Sequence, residues 1–144
     1  MNEYTIEITD LITDEMTKII GDGLNAFNDA ITNIDDRQPL AIVVKDNITG
    51  AVQGGMLGRS SLGLLFIDLV YLPENLRSSG IGSEILKEFE EEGRKRGCLS
   101  AVLYTISFQA PEFYEKHGWK RFGEIQCSPT GTSRIFLSKS LNDF

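Results

Sequence analysis

"LLFIDLVYLPENLRSSGIGSEILKEFEEEGRKRGCLSAVLYTI", residues 64–106, decides the fold. It opens on an almost wholly apolar run, 64–72, which reads as a central strand ended by Pro73. Ile81, Ile85, Leu86 and Phe89 then recur at helical spacing, so a helix is expected from about Gly80 to Arg96. Glu90–Arg94, Glu91–Lys95 and Glu92–Arg96 are (i, i+4) pairs in the favoured orientation, which makes the charge run a solvated helix face. Gly97 is placed to cap the helix, and "LSAVLYTI" (99–106) reads as a second buried strand. A helix between two buried strands is a βαβ unit, whose strands run parallel.

Outward from this unit, "LAIVVKD" (40–46) and "AVQGGMLGR" (51–59) read as strands joined by the turn "DNITG". On the other side, Ala110 to His117 reads as a short helix, with closing strands at "WKRFGEI" (119–125) and "SRIFLSKSL" (133–141). Nearer the N-terminus, Tyr4, Ile6 and Ile8 alternate with polar residues and predict a strand. The apolar positions from Leu11 to Ile31 take helical spacing interrupted by Gly21 and Gly23, which predicts two short helices. The expectation is an α/β chain of a single domain, 1–144, without repeats or linkers.

Charge is unevenly spread. The net charge is −7. Residues 1–40 hold nine acids and two bases, and the remainder holds twelve of each. A phosphate backbone would be repelled by the first segment, so nucleic acid is not an expected partner. The acids serve solubility or face a cationic ligand. No stretch has the length of a membrane span, and the acidic N-terminus has neither the basic nor the apolar region of a signal peptide. Cys98 and Cys127 form no metal or disulfide spacing, so the expected setting is the cytoplasm, with both thiols reduced and no metal.

"RSSGIG" (77–82) lies where the first strand of the unit ends and its helix begins. The first amides of a helix lack internal partners and sit at the positive end of its dipole. Small residues let an anion approach them closely. Gly80 and Gly82 remove Cβ atoms, Ser78 and Ser79 offer hydroxyls, and Arg77 offers a charge. The spacing matches neither a Walker loop nor a dinucleotide-binding loop.

The segment resembles the phosphate loop of the GNAT superfamily of N-acetyltransferases: Gln or Arg, two residues, Gly, one residue, then Gly or Ala. Arg77-Ser78-Ser79-Gly80-Ile81-Gly82 fits that form. Further on, "SFQAPEFYEKHGW" (107–119) is similar to the family's second motif, with Ala110, Phe113, Tyr114, Glu115, Lys116, Gly118 and Trp119 in register. Two departures stand out: Ser107 occupies the usual Asn position, and Ser78 and Ser79 replace the common Gly and Gln.

The resemblance implies a mixed sheet of six to seven strands flanked by about four helices, splayed between 64–72 and 99–106. It implies acetyl-CoA as donor and an amine as acceptor. The cofactor would be held by Val70, Tyr71 and Leu72, by Arg77, Ser78, Ser79, Gly80, Ile81 and Gly82, and by Ser107, Ala110 and Phe113. Tyr114 occupies the position of the family's general acid. Asp68, an acid within an apolar strand, is a candidate base, amine anchor or hydrogen-bonded structural acid; Glu7 and Glu124 are weaker candidates. His117 reads as a surface residue, and Cys98 as no nucleophile. The acidic first segment would favour a small cationic acceptor. A protein lysine or N-terminus as acceptor, and a non-catalytic CoA-binding module, are the alternatives. Edge strands in such folds commonly pair, so a homodimer is compatible with the resemblance.

Overall fold

The computed structural model describes residues 3–142 of the chain, which forms two compact units, Met1–Asp35 and Asp36–Phe144. The first contains one helix, α1 (Asp14–Thr32). The Thr13 hydroxyl accepts from the Met16 N–H at 3.2 Å, the Thr13 N–H reaches Met16 Sδ at 3.5 Å, and Asn33 ends the helix at φ 60°. The two helices expected here are therefore one helix of 19 residues. Each interior glycine costs about 1 kcal/mol relative to alanine, whereas a break would require a second nucleus and two further sets of caps. The strand expected at Tyr4–Ile8 is not formed either, because alternation alone supplies no partner for its backbone groups.

The second unit is built on β1 (Gln38–Lys45), β2 (Val52–Ser61), β3 (Leu64–Tyr71), β4 (Ser100–Ile106), β5 (Lys120–Gln126) and β6 (Ser133–Ser140). They form one six-stranded sheet in the order β1-β2-β3-β4-β6-β5. Between β3 and β4 lie a 3-10 turn (Glu74–Leu76) and α2 (Ile81–Lys95); α3 (Pro111–Lys116) follows β4. The sheet is mixed as expected, with three α-helices among the described residues instead of about four. The difference lies in the merged helix of the first unit.

β3 and β4 are parallel, the handiwork of the βαβ crossover, and every other neighbouring pair is antiparallel. Their parallel register covers only Leu64–Ser100, Leu65–Ala101 and Phe66–Val102. Past these pairs the two strands part, as the resemblance implied.

α2 covers one face of the sheet. Its Leu86 and Phe89 bury against Met56, Leu65 and Leu137, all at most 1% exposed. The approach is close because Gly93 has no side chain: a Cβ there would lie 2.7 Å from Leu65 Cδ2. One residue of the charge run departs from the solvated face expected of it. Glu90 is buried, accepting from Lys139 Nζ at 2.6 Å and from Trp119 Nε1 at 3.2 Å. The helical period places position 90 one residue past Phe89, inside the edge of the apolar stripe, where Lys139 on β6 and Trp119, just before β5, supply its partners. This cluster ties α2 to β6 and to the end of α3.

Candidate active site

The loop from Arg77 to Gly82 brings β3 into α2. Gly80 is the helix N-cap at φ 89°, with no side-chain cap, and a Cβ there would meet nothing within 4 Å. Its backbone conformation suits glycine, and the space before the first amides is open. Ser78 also takes a left-handed conformation, φ 62°. This accounts for the frequency of Gly at that position in the resembling loops: serine carries a penalty of about 1 kcal/mol or more there. Ser78→Gly is expected to raise stability slightly, by about 0.5–1 kcal/mol in chemical denaturation, without blocking the loop.

The loop is held from within. Arg77 Nε donates to Leu72 O at 2.9 Å and Ser79 Oγ donates to Leu76 O at 2.5 Å. Arg77 therefore spans the loop back to the end of β3, in addition to supplying charge. Ile81 opens the helix, half-buried against the core. A Cβ on Gly82 would touch Phe113 at 3.5 Å and Leu72 at 3.6 Å, so the end of β3, the first turn of α2 and α3 converge on this point.

Val70 and Tyr71 are exposed at the end of β3, past its last pairing with β4. The β2–β3 register shifts between Leu57 and Gly58, whose partners are Leu69 and Ile67, leaving Asp68 as the extra residue. On the edge facing β4, the main chain beyond Phe66 also lacks a strand partner. An extended ligand arm could pair with that edge as an added strand would.

Tyr114, on α3, is 7% exposed and packs edge-on to Phe113 at 5.1 Å and Trp119 at 6.0 Å. Burial pushes its phenol up to about 12, so it remains protonated through the neutral range. A group whose folded pKa exceeds the unfolded value near 10 contributes stability below pH 10 that is lost as pH rises through 12. Chemical denaturation from pH 9 to pH 12 should show a fall of roughly 2–3 kcal/mol that is absent from Tyr114→Phe.

Other residues singled out in the sequence lie in different settings. Asp68 forms an ion pair with Arg59 at 3.5 Å, both side chains about half exposed, and Arg59 lies 3.9 Å over the Phe66 ring. Asp68, read as a base, an amine anchor or a hydrogen-bonded structural acid, is thus ion-paired and open to solvent at the bulge. The Ser107 N–H donates to Ser133 O at 2.8 Å and its Oγ accepts from the Ser133 N–H at 3.0 Å, tying the end of β4 to β6. Ala110 is the N-cap of α3. Glu7 is exposed, and Glu124 accepts from Ser133 Oγ at 2.7 Å. His117 is not simply a surface residue: its Nε2 pairs with Ser83 Oγ at 2.9 Å, linking α3 to α2. No local signal announces this contact, because Ser83 and His117 are 34 positions apart. Cys98 is buried, and burial raises its thiol above the ordinary range, consistent with a structural residue.

A split parallel pair beside an open, uncapped helix terminus defines the class. The chain belongs to the GNAT acetyltransferase family, whose model matches residues 6–119, and it is an acyltransferase. It is 34% identical over 132 residues to acetyltransferase Atu2258 of Agrobacterium fabrum, covering 92% of this chain and 96% of that one. Blasticidin-S acetyltransferase of Streptomyces morookaense is 31% identical over 93 residues, 64% of this chain and 68% of that one. The crystal structure of an acetyltransferase from Bacillus cereus superposes with a TM-score of 0.77 at 31% identity, covering 93% of this chain and 97% of that one.

Proposed function

We propose that the chain moves the acetyl group of acetyl-CoA to the nitrogen of a small cationic amine. The observation that carries this reading is the open, uncapped start of α2 at Gly80, beside the parted ends of β3 and β4. The loop from Arg77 to Gly82 would hold the diphosphate through main-chain N–H groups, with Ser78 and Ser79 lining the approach. The free edge of β3 at Val70, Tyr71 and Leu72 would pair with the pantetheine arm and direct an amide at the thioester oxygen. Ala110 and Phe113 would line the arm from α3, and Ser107 would border it at the end of β4.

The neutral amine attacks the thioester carbon, a C–N bond forms and the C–S bond breaks; the thiolate takes a proton from the Tyr114 phenol, and the proton shed by the acylated nitrogen returns through water to the Tyr114 oxygen. Alkyl ammonium groups have a pKa near 10, so the acceptor must first lose a proton. Asp68, half exposed beside the open edge of β3, would anchor the cation, and the proton would pass to it or to water. The net charge of −7, with its excess in the first segment, favours cationic acceptors by long-range attraction. The likeness to blasticidin-S acetyltransferase supports a small molecule over a protein.

Release of free thiol from acetyl-CoA, followed across cationic, neutral and acidic small amines and lysine peptides, tests the reading. Turnover is expected to be at least tenfold faster with cationic small molecules. Equal turnover across charge classes, or a preference for peptides, would overturn the acceptor assignment. No thiol release with any acceptor, despite CoA binding, would favour a binding module.

A further inference from the structure

α3 is six residues long, too short to keep its place without ties to its neighbours. His117, its C-cap, joins it to two other elements. The ring Nε2 lies 2.9 Å from the Oγ of Ser83, which stands in the first turn of α2, one residue past Gly82. One of the two donates whichever ring nitrogen carries the proton, so the pair is satisfied in either neutral tautomer. The His117 carbonyl accepts from Lys139 Nζ on β6 at 2.8 Å. Its ring also meets Phe113 edge-on, with centroids 5.0 Å apart. Tyr114 lies one turn earlier, and its carbonyl accepts from the His117 N–H at 2.9 Å.

Phe113 packs beside Gly82, where a Cβ would approach its ring to 3.5 Å. Apolar packing of this kind is non-directional and lets one helix slide on another. A hydrogen bond sets distance and direction together. Among the contacts between the first turn of α2 and α3, the Ser83–His117 bond is therefore the one that fixes rotation as well as separation.

That setting matters for the chemistry. A carrier gripped by its diphosphate at the start of α2 has the position of its sulfur measured from that helix. The position of the phenol is set by α3. The two must agree within about 0.5 Å, and a misplacement near 1 Å costs on the order of 10²-fold in rate. We propose that Ser83 and His117 form a positioning pair, which holds α3 against the first turn of α2 so that the Tyr114 phenol meets the leaving sulfur. The proposal rests on the reading of Tyr114 as proton donor and of the loop from Arg77 to Gly82 as the diphosphate site. Neither Ser83 nor His117 touches the reacting atoms; both act through Tyr114.

The test follows thiol release from acetyl-CoA with the fastest amine of the panel above, beside calorimetric titration with coenzyme A. His117→Ala and Ser83→Ala should each lower kcat about 10-fold to 100-fold, with the affinity for coenzyme A within threefold of wild type. The double variant should be no slower than the slower single one, because both remove the same bond. The amide of glutamine reaches as far as the imidazole Nε2, whereas that of asparagine reaches only as far as Nδ1. His117→Gln should therefore restore kcat to within threefold of wild type, and His117→Asn should resemble His117→Ala. In a Tyr114→Phe background, His117→Ala should cause no further loss. Trp119, buried beside Tyr114, reports folding through its fluorescence. If His117→Ala does not fold, Ser83→Ala carries the same comparison, alone and with Tyr114→Phe. Unchanged kcat in the folded variants would overturn the proposal. So would glutamine no better than asparagine, an equal loss with and without the Tyr114 hydroxyl, or a loss of coenzyme A affinity in step with kcat. These results leave Tyr114 as donor. If Tyr114→Phe itself turns over like wild type, or no amine releases thiol, the donor reading fails and the positioning role falls with it.

Discussion

Tyr114→Phe should lower kcat by about 10²–10⁴-fold while leaving the affinity for coenzyme A within threefold, since a positioned proton donor contributes about that much. The change removes one oxygen from a side chain that is 7% exposed and keeps the ring that packs against Phe113 and Trp119. Steady-state thiol release paired with calorimetric CoA titration separates the two effects. A phenol raised to about 12 by burial is a weak acid in bulk terms, yet it stays loaded with its proton at every physiological pH. It is matched to a thiolate that needs a hydrogen bond or proton only as the C–S bond breaks. Unchanged kcat in Tyr114→Phe would reassign the donor to water.

The largest expected effect on stability is at Glu90. Its side chain is 6% exposed and accepts from Lys139 and Trp119. Glu90→Ala leaves the mostly covered Lys139 ammonium with the His117 carbonyl but no counter-charge, and the Trp119 indole N–H without its acceptor, which should cost about 3–5 kcal/mol. Urea denaturation would read this as a shifted midpoint with little change of slope. The double replacement Glu90→Leu with Lys139→Met should recover at least half of the loss, because a well-packed apolar pair avoids the desolvation cost of both charges. Activity should suffer as well, since this cluster holds α2 against β6 and against Trp119 just past α3, and the proposed phosphate loop and proton donor lie on those elements.

The βαβ core was legible because its signals are local and agree with one another: an apolar run closed by Pro73, a helical stripe from Ile81 to Phe89, and Gly97 after it. The loop and Tyr114 could be placed by motif spacing, and the structure brings Leu72, Gly82 and Phe113 into one neighbourhood. What the sequence hid depends on long-range partners. Glu90 looked like its solvated neighbours because Lys139 and Trp119 lie 49 and 29 positions away. Asp68 sits at a bulge that a strand pattern does not reveal. Gly21 and Gly23 suggested a break because propensity counts their cost but not the expense of ending one helix and starting another.

Isothermal titration of the folded protein with coenzyme A and, separately, with pantetheine tests the central claim most directly. If the main chain between Arg77 and Gly82 grips the diphosphate, coenzyme A should bind with measurable heat and pantetheine at least 100-fold more weakly. Equal affinity for the two, or no heat with coenzyme A, would contradict it.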